Sequence, residues 1–151
     1  TLWKPYRVGT HMIRWNLFPR NPLFSLYLHK IVGSDQRELH DHPKRSLSFV
    51  LRGYAVEHHW TPTGLDRHVA DPTLFNQWDA VRRISPGKFY YRSARFSHSI
   101  KLESRKRPVW TLFLMFGPNR DWGFWRVISP FFTHKVVRWV DHDTFIKAGH
   151  K

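Results

Sequence analysis

Proline and glycine interrupt this chain at short intervals, and this spacing limits the folds open to it. The 151 residues include 10 Pro and 8 Gly, and no segment between them shows a sustained 3.6-residue hydrophobic period. The intervening segments are rich in aromatic and β-branched residues. Short runs of this kind between turn residues are typical of an antiparallel sandwich or barrel. The strand-like runs are Leu23–Val32, Arg45–Leu51, Tyr54–Trp60, Lys88–Arg92, His98–Leu102 and Val109–Phe116.

These runs predict an all-β protein, built as a single antiparallel β-barrel or jelly roll over about residues 23–125. The best helix candidate is Pro72–Ala80, with Asp71 as its cap. We expect short helical or irregular additions at both ends, with the aromatic-rich tail Trp122–Phe145 packed on the barrel. The length and the lack of internal repeats or long linkers indicate one domain over residues 1–151.

Composition excludes some classes of protein. Hydrophobic residues make up 41% of the chain and aromatic residues 17%, which is too much apolar material for a disordered basic tail. There is no Cys, which excludes disulfides, thiolate metal sites and Cys nucleophiles. A bound metal must therefore be held by His, carboxylate or water.

The chain is strongly basic, with 25 Lys and Arg against 11 Asp and Glu and a formal charge of +14. Such a charge attracts phosphates, nucleic acid or anionic substrates. The run Arg105-Lys106-Arg107 could contact phosphates, and a solvated turn before Pro108 is the alternative. We expect no membrane association and a cytoplasmic location, since the sequence has no apolar run of about 18 residues and no visible signal peptide.

The histidines carry the most specific pattern. His40 and His42 are two residues apart, so on a strand they share a face and can converge on one metal ion. His98 begins an alternating run and could supply a third ligand from another strand. With 11 His in 151 residues, about one His-x-His pair is expected by chance, so the argument depends on what surrounds the pair.

The order of histidines and glycines resembles the two signature motifs of the cupin superfamily. The first motif is matched by Gly33, His40, His42 and Gly53, with Ser46 at the Glu position. The second is matched by Gly87 and His98, with Ser93-Ala94-Arg95 in place of Pro-x-Gly and Leu102 in place of Asn. Local strings are similar to those of small, uncharacterised bacterial and phage cupin-domain proteins: Leu39–Pro43, Leu51–Tyr54 with Glu57, Trp110–Leu112 and Trp122–Phe124.

This resemblance implies a barrel in which His40, His42 and His98 hold a divalent metal, which could be Fe, Mn, Ni or Zn. It makes a metal-dependent enzyme the leading hypothesis, with a dioxygenase first and an isomerase next, acting on a small molecule for which the basic charge suggests an anion. The alternative is a non-catalytic basic barrel that binds nucleic acid or serves in a larger assembly. A homodimer stays open. The cupin barrel supports many functions, so the fold alone selects no reaction.

The position of the missing family Glu invites a further prediction from strand register. A hairpin turning at Arg52-Gly53 would place Ser48 opposite Glu57 and Ser46 opposite His59. Glu57 and His59 would then project into the barrel, where an inward polar side chain needs a partner. We predict Glu57 as a catalytic base beside the metal and His59 as a further metal ligand. A one-residue bulge that turns both side chains outward is the alternative.

One arginine completes the predicted site. Arg92 lies five residues after Gly87 and could face the cavity. There its guanidinium could hold an anionic substrate through a forked pair of hydrogen bonds. A solvated Arg92 is the alternative.

Overall fold

The computed structural model consists of β-strands and their connections. It describes residues 2–34, 39–40, 42–60, 80–94, 96–118, 123–129 and 136–141, and no helix occurs among them. The strands are β1 Pro5–Val8, β2 Met12–Asn16, β3 Phe24–Ile31, β4 Leu39–His40, β5 Arg45–Arg52, β6 Ala55–Trp60, β7 Ala80–Ile84, β8 Phe89–Arg92, β9 Ser97–Leu102, β10 Val109–Phe116, β11 Gly123–Ser129 and β12 Val136–Asp141. The predicted all-β class is confirmed.

These strands form two antiparallel six-stranded sheets. The first sheet has the order β1-β2-β3-β10-β5-β8, and the second has the order β12-β11-β4-β9-β6-β7. Each of the six predicted runs is a strand, with both ends within one residue of the prediction. No helix long and apolar enough to cross a membrane is found in the part of the chain that the structure describes.

The two ends of the chain are more regular than the sequence indicated. β1 and β2 pair with each other, and β2 extends the first sheet by pairing with β3. At the other end, β11 pairs with both β4 and β12. The expected helical or irregular additions are therefore strands here, because pairing satisfies backbone groups that a bare sheet edge would leave open. Of the predicted helix, residues 72–79 lie outside the described residues, and Ala80 begins β7.

The predicted hairpin at Arg52-Gly53 is wrong. β5 pairs with β10 and β8 in the first sheet, whereas β6 pairs with β9 and β7 in the second. The turn therefore carries the chain from one sheet to the other, and each strand has two partners in its own sheet. The inward faces are nevertheless those expected, since Ser48 and Glu57 are both buried.

Alternation along the strands divides the interior into an apolar part and a polar part. The apolar cluster contains Met12, Ile31, Val50, Ala55, Ile84, Tyr90 and Val109. Two or four residues along β5, β6 and β8 from members of this cluster, the buried side chains are polar: Ser46, Ser48, Glu57 and Arg92. Because residues i and i+2 share a face, the inward face of each of these three strands is apolar at one end and polar at the other. The polar end holds the candidate site.

Gly53 makes the crossing between the sheets possible. Its φ is +90°, and a Cβ at this position would lie 2.5 Å from the carbonyl oxygen of Pro108 and 3.0 Å from Cα of Val109. Gly87 has a similar φ of +78°, yet a Cβ there would meet nothing within 4 Å. A comparison of substitutions at Gly53 and Gly87 therefore separates the cost of a left-handed backbone from the cost of steric overlap.

We expect Gly53→Ala to destabilise the protein more than Gly87→Ala. The second change brings only the cost of a left-handed backbone, about 1–2 kcal/mol, while the first adds the clash with Pro108. The free energy of unfolding of both variants, measured in urea, checks this. Equal losses would show that the crossing at Gly53 has room for a methyl group.

Candidate metal centre

Three histidines converge at the polar end of the interior. His40 lies on the two-residue strand β4, with its Cα opposite His98 on β9, and His42 follows two residues later. The ring centroids are 5.2 Å apart for His40 and His42 and 4.9 Å apart for each of the other two pairs. One nitrogen of each ring lies within 4.8 Å of the others. The predicted trio is thus brought together in space.

The nitrogens of this trio suit a metal ion. Nε2 of His42 and Nε2 of His98 are 2.7 Å apart, whereas imidazole nitrogens on one tetrahedral ion are separated by about 3.3–3.4 Å. A small outward movement of the rings would admit the ion. Burial, followed by the nearby His98 and His40, holds the pKa of His42 well below its ordinary value. This ring is therefore neutral near pH 7, in the form that binds metals.

A buried carboxylate fixes the orientation of His98. Glu57 is 0% exposed, and its Oε1 lies 2.6 Å from Nδ1 of His98. Burial alone would raise the pKa of Glu57, but the hydrogen bond and charge of His98, together with Arg92, lower it far below its usual range. Because the ionised carboxylate can only accept, Nδ1 of His98 donates and its Nε2 points toward His42.

Two arginines hold this carboxylate from opposite sheets. Arg92 on β8 donates from Nε to Oε1 of Glu57 at 2.6 Å and from Nη1 to Oγ of Ser48 at 2.7 Å. Arg82 on β7 donates from Nε to Oε2 of Glu57. Arg92 is thus buried, and these groups of its guanidinium already bind Glu57 and Ser48.

His59 lies beside the trio and outside it. Its Cα is opposite that of His98, and its ring stacks on Phe96 at 5.1 Å. The predicted pairing of His59 with Ser46 is wrong, because β5 and β6 belong to different sheets. Ser46, at the position of the family Glu, is fully buried, and its Oγ has no hydrogen-bond partner among the described residues. Neither residue joins the group of converging nitrogens.

Sequence reasoning missed Arg82. Its Cα is directly opposite Glu57 in the β6–β7 pair, and its guanidinium lies over the rings of Tyr90 and Phe96, at 5.1 and 5.0 Å. A buried carboxylate needs a cation nearby, and the sequence offers the dipeptide Arg82-Arg83 as a source of one. The pairing of Arg82 with Glu57 could not be predicted, because the register of β7 against β6 does not follow from the local sequence of either strand.

Comparisons with known proteins test the fold. The sequence matches no protein-family model and no curated protein. Among solved structures, the polyketide cyclase RemF from Streptomyces resistomycificus is 12% identical, with a TM-score of 0.57 over 79% of this chain and 77% of RemF. The cupin domain of Cnp3 from Schizosaccharomyces pombe is 11% identical, with a TM-score of 0.50 over 74% and 68%. This chain has the cupin fold.

A further solved structure with a similar fold is that of the hydroxypropylphosphonic acid epoxidase from S. wedmorenis. It is 10% identical, with a TM-score of 0.55 over 75% of this chain and 55% of the epoxidase. The chain thus spans about half the length of that enzyme. The resemblance drawn from the motifs is confirmed at the level of the fold.

We expect Glu57→Gln to lower the free energy of unfolding by about 3–5 kcal/mol, because it leaves the buried charge of Arg92 without a counterion. Glu103→Gln is the matched control, since it removes a carboxylate that binds Arg83 at the exposed surface. Its effect is expected to be small. Urea unfolding of both variants measures the difference, and equal effects would contradict the structural role given to Glu57.

We also expect stability to fall as the pH drops below about 6.5, the ordinary pKa of an unfolded His. Burial, followed by the charges of Arg14 and His11, lowers the pKa of His29 in the folded protein well below that value. Between the two pKa values His29 is therefore protonated in the unfolded chain and neutral in the folded one, which favours unfolding as the pH falls. Urea midpoints at pH 7.5 and pH 5.5 measure the loss. His29→Gln removes this titration and should flatten part of the slope. An unchanged slope would contradict the assignment.

Proposed function

We propose that the protein is a metal-dependent cupin enzyme that binds one divalent cation through His40, His42 and His98. The observation that carries this proposal is the convergence of the three ring nitrogens within 4.8 Å, with one ring oriented by a buried carboxylate. Imidazole ligands suit Fe, Mn, Ni and Zn, and geometry rather than affinity selects among them. A cation held by three histidines keeps open coordination positions for an oxygen-bearing molecule or dioxygen.

The residues around the trio have separate tasks in this proposal. Glu57 is a positioning residue that keeps Nδ1 of His98 protonated and its Nε2 available. Both oxygens of Glu57 already accept from Arg82, Arg92 and His98, which favours positioning over the predicted role of general base. Ser46 leaves the fourth family position without a carboxylate, so water or substrate can occupy it.

The reaction that we propose first is oxidation of a small molecule by dioxygen, with isomerisation as the other option. The basic surface supports an anionic substrate. The epoxidase with a similar fold is named for hydroxypropylphosphonic acid, which is a small acid. Its name supports the proposed substrate class without identifying the substrate.

The alternative of a nucleic-acid-binding or assembly module stays a prediction. The run Arg105-Lys106-Arg107 lies exposed in the turn between β9 and β10, where the backbone N–H of Arg107 donates to the carbonyl of Ser104.

The homodimer and the cytoplasmic location also stay predictions. An apolar patch lies on the outer face of the first sheet, formed by Leu26, Leu47, Phe49, Phe89, Leu112 and Leu114.

We expect the wild-type protein to retain one equivalent of a divalent metal after loading and exhaustive dialysis. His98→Ala should lose most of it, because three converging ligands become two. His58→Ala is the control, since His58 is on the same sheet but outside the converging trio. Elemental analysis of each purified protein gives the stoichiometry.

Two outcomes would contradict the proposal. Full metal content in His98→Ala would place the cation elsewhere, and no metal in the wild-type protein would leave a cupin fold without a centre. A steep decrease of nucleic-acid binding with salt in metal-free protein would favour the alternative module.

A further inference from the structure

A second polar cluster lies on the inner face of the first sheet and takes no part in holding Glu57. Arg14 on β2 has its Cα opposite His29 on β3, which is in turn opposite Thr111 on β10. His29 is 4% exposed and Thr111 5% exposed, whereas Arg14 is half-buried. The row therefore runs from the interior toward the edge of the sheet, with a guanidinium at its outer end.

His29 fixes the direction of this guanidinium. Nε of Arg14 donates to Nε2 of His29 at 2.9 Å, so His29 accepts at this nitrogen and is neutral. The His29 ring is stacked against Tyr27 at 5.7 Å and Phe113 at 4.8 Å, which prevents it from turning away. The guanidinium carbon of Arg14 lies 4.4 Å from the centre of the Tyr27 ring. The side chain is thus held on two sides, by the hydrogen bond to His29 and by the aromatic face of Tyr27.

The Nη groups of Arg14 differ from the guanidinium groups of Arg82 and Arg92 in what they bind. Arg82 and Arg92 both bind the carboxylate of Glu57. Among the described residues no carboxylate pairs with Arg14, and its two Nη groups donate to none of them. The Nη groups of Arg14 are therefore not engaged by the described part of the chain, and a forked guanidinium matches a carboxylate or phosphate well.

Arg14 is linked to the proposed metal centre through the rings of two intervening side chains. The ring of Phe113 lies 4.8 Å from that of His29 and 6.5 Å from that of the metal-ligand candidate His42. Arg14, His29, Phe113 and His42 therefore form a continuous series of contacts on the inner side of the sheet.

We infer that Arg14 is the anion-binding residue of this site, and that it takes the carboxylate or phosphate group of a small substrate through its two Nη groups. His29 is the positioning residue that aims this fork. The inference rests on the proposed metal-dependent function and names its substrate class. It replaces Arg92, whose guanidinium is engaged with Glu57 and Ser48.

The test uses benzoate and inorganic phosphate as probes, titrated calorimetrically into metal-loaded and metal-free protein. We expect wild-type protein to bind at least one of them and Arg14→Gln to bind it about 10- to 100-fold more weakly, the range for a charge-assisted hydrogen bond. Arg14→Lys keeps the charge without the fork and should lie between the two. Arg7→Gln is the control, because Arg7 is exposed on the paired strand β1.

The role of His29 is tested by restoring its acceptor. His29→Leu should weaken binding of the same probe, while His29→Gln keeps an acceptor for Nε of Arg14 and should recover much of the affinity. A purely structural role would make recovery follow stability, so urea midpoints are measured on both variants. If binding followed the midpoints alone, His29 would not be a positioning residue.

The outcomes separate this inference from the metal proposal, since metal content is measured on the same samples. Normal metal content with Arg14-dependent anion binding supports both. If wild-type protein bound neither probe, or if Arg14→Gln and Arg14→Lys bound them as well as wild type, the inference would be overturned whatever the metal content. Arg14-dependent binding in a protein that takes up no metal would retain the anion site and reject the metal centre.

Discussion

The buried carboxylate of Glu57 is the interaction on which the rest of the site depends. A carboxylate with no exposure to water needs several donors, and Glu57 takes them from both sheets: Arg92 from the first, Arg82 and His98 from the second. One charge therefore joins the two walls of the fold and also sets the tautomer of a candidate metal ligand. Loss of this charge would affect packing and metal binding together, which is why stability and metal content must be measured separately.

The sequence predicted which side chains face inward more reliably than which strands are neighbours. The inward positions of Ser48 and Glu57 followed from a hairpin that does not exist, and both are nevertheless buried. Alternation has a period of two on any strand, so it gives the same inner face whether the next strand is beside it or across the interior. Local sequence contains no information that separates these two arrangements. The placement of His40 and His42 on one face followed from the same alternation, whereas their convergence with His98 was implied by the resemblance to the cupin motifs.

The residues that sequence reasoning missed are those whose meaning depends on long-range register. Arg82 and Arg14 read as ordinary basic residues of a strongly basic chain until β7 is placed beside β6 and β2 beside β3. Arg92 was expected to be available to a substrate, and it is occupied because Glu57 needs counterions. Assigning such roles requires knowing how many partners each buried charge has, which is a property of the whole interior.

The separation of the candidate ligands along the chain has a thermodynamic consequence. His42 and His98 are 56 residues apart in sequence, yet their Nε2 atoms are 2.7 Å apart in the fold. Unfolding would separate these two nitrogens, so a ligand that both rings hold binds the folded chain and not the unfolded one. Such a ligand stabilises the fold by mass action, by an amount that grows with the logarithm of its free concentration. The unfolding midpoint then reports the occupancy of the site, and a chelator would lower it with no change in the chain itself.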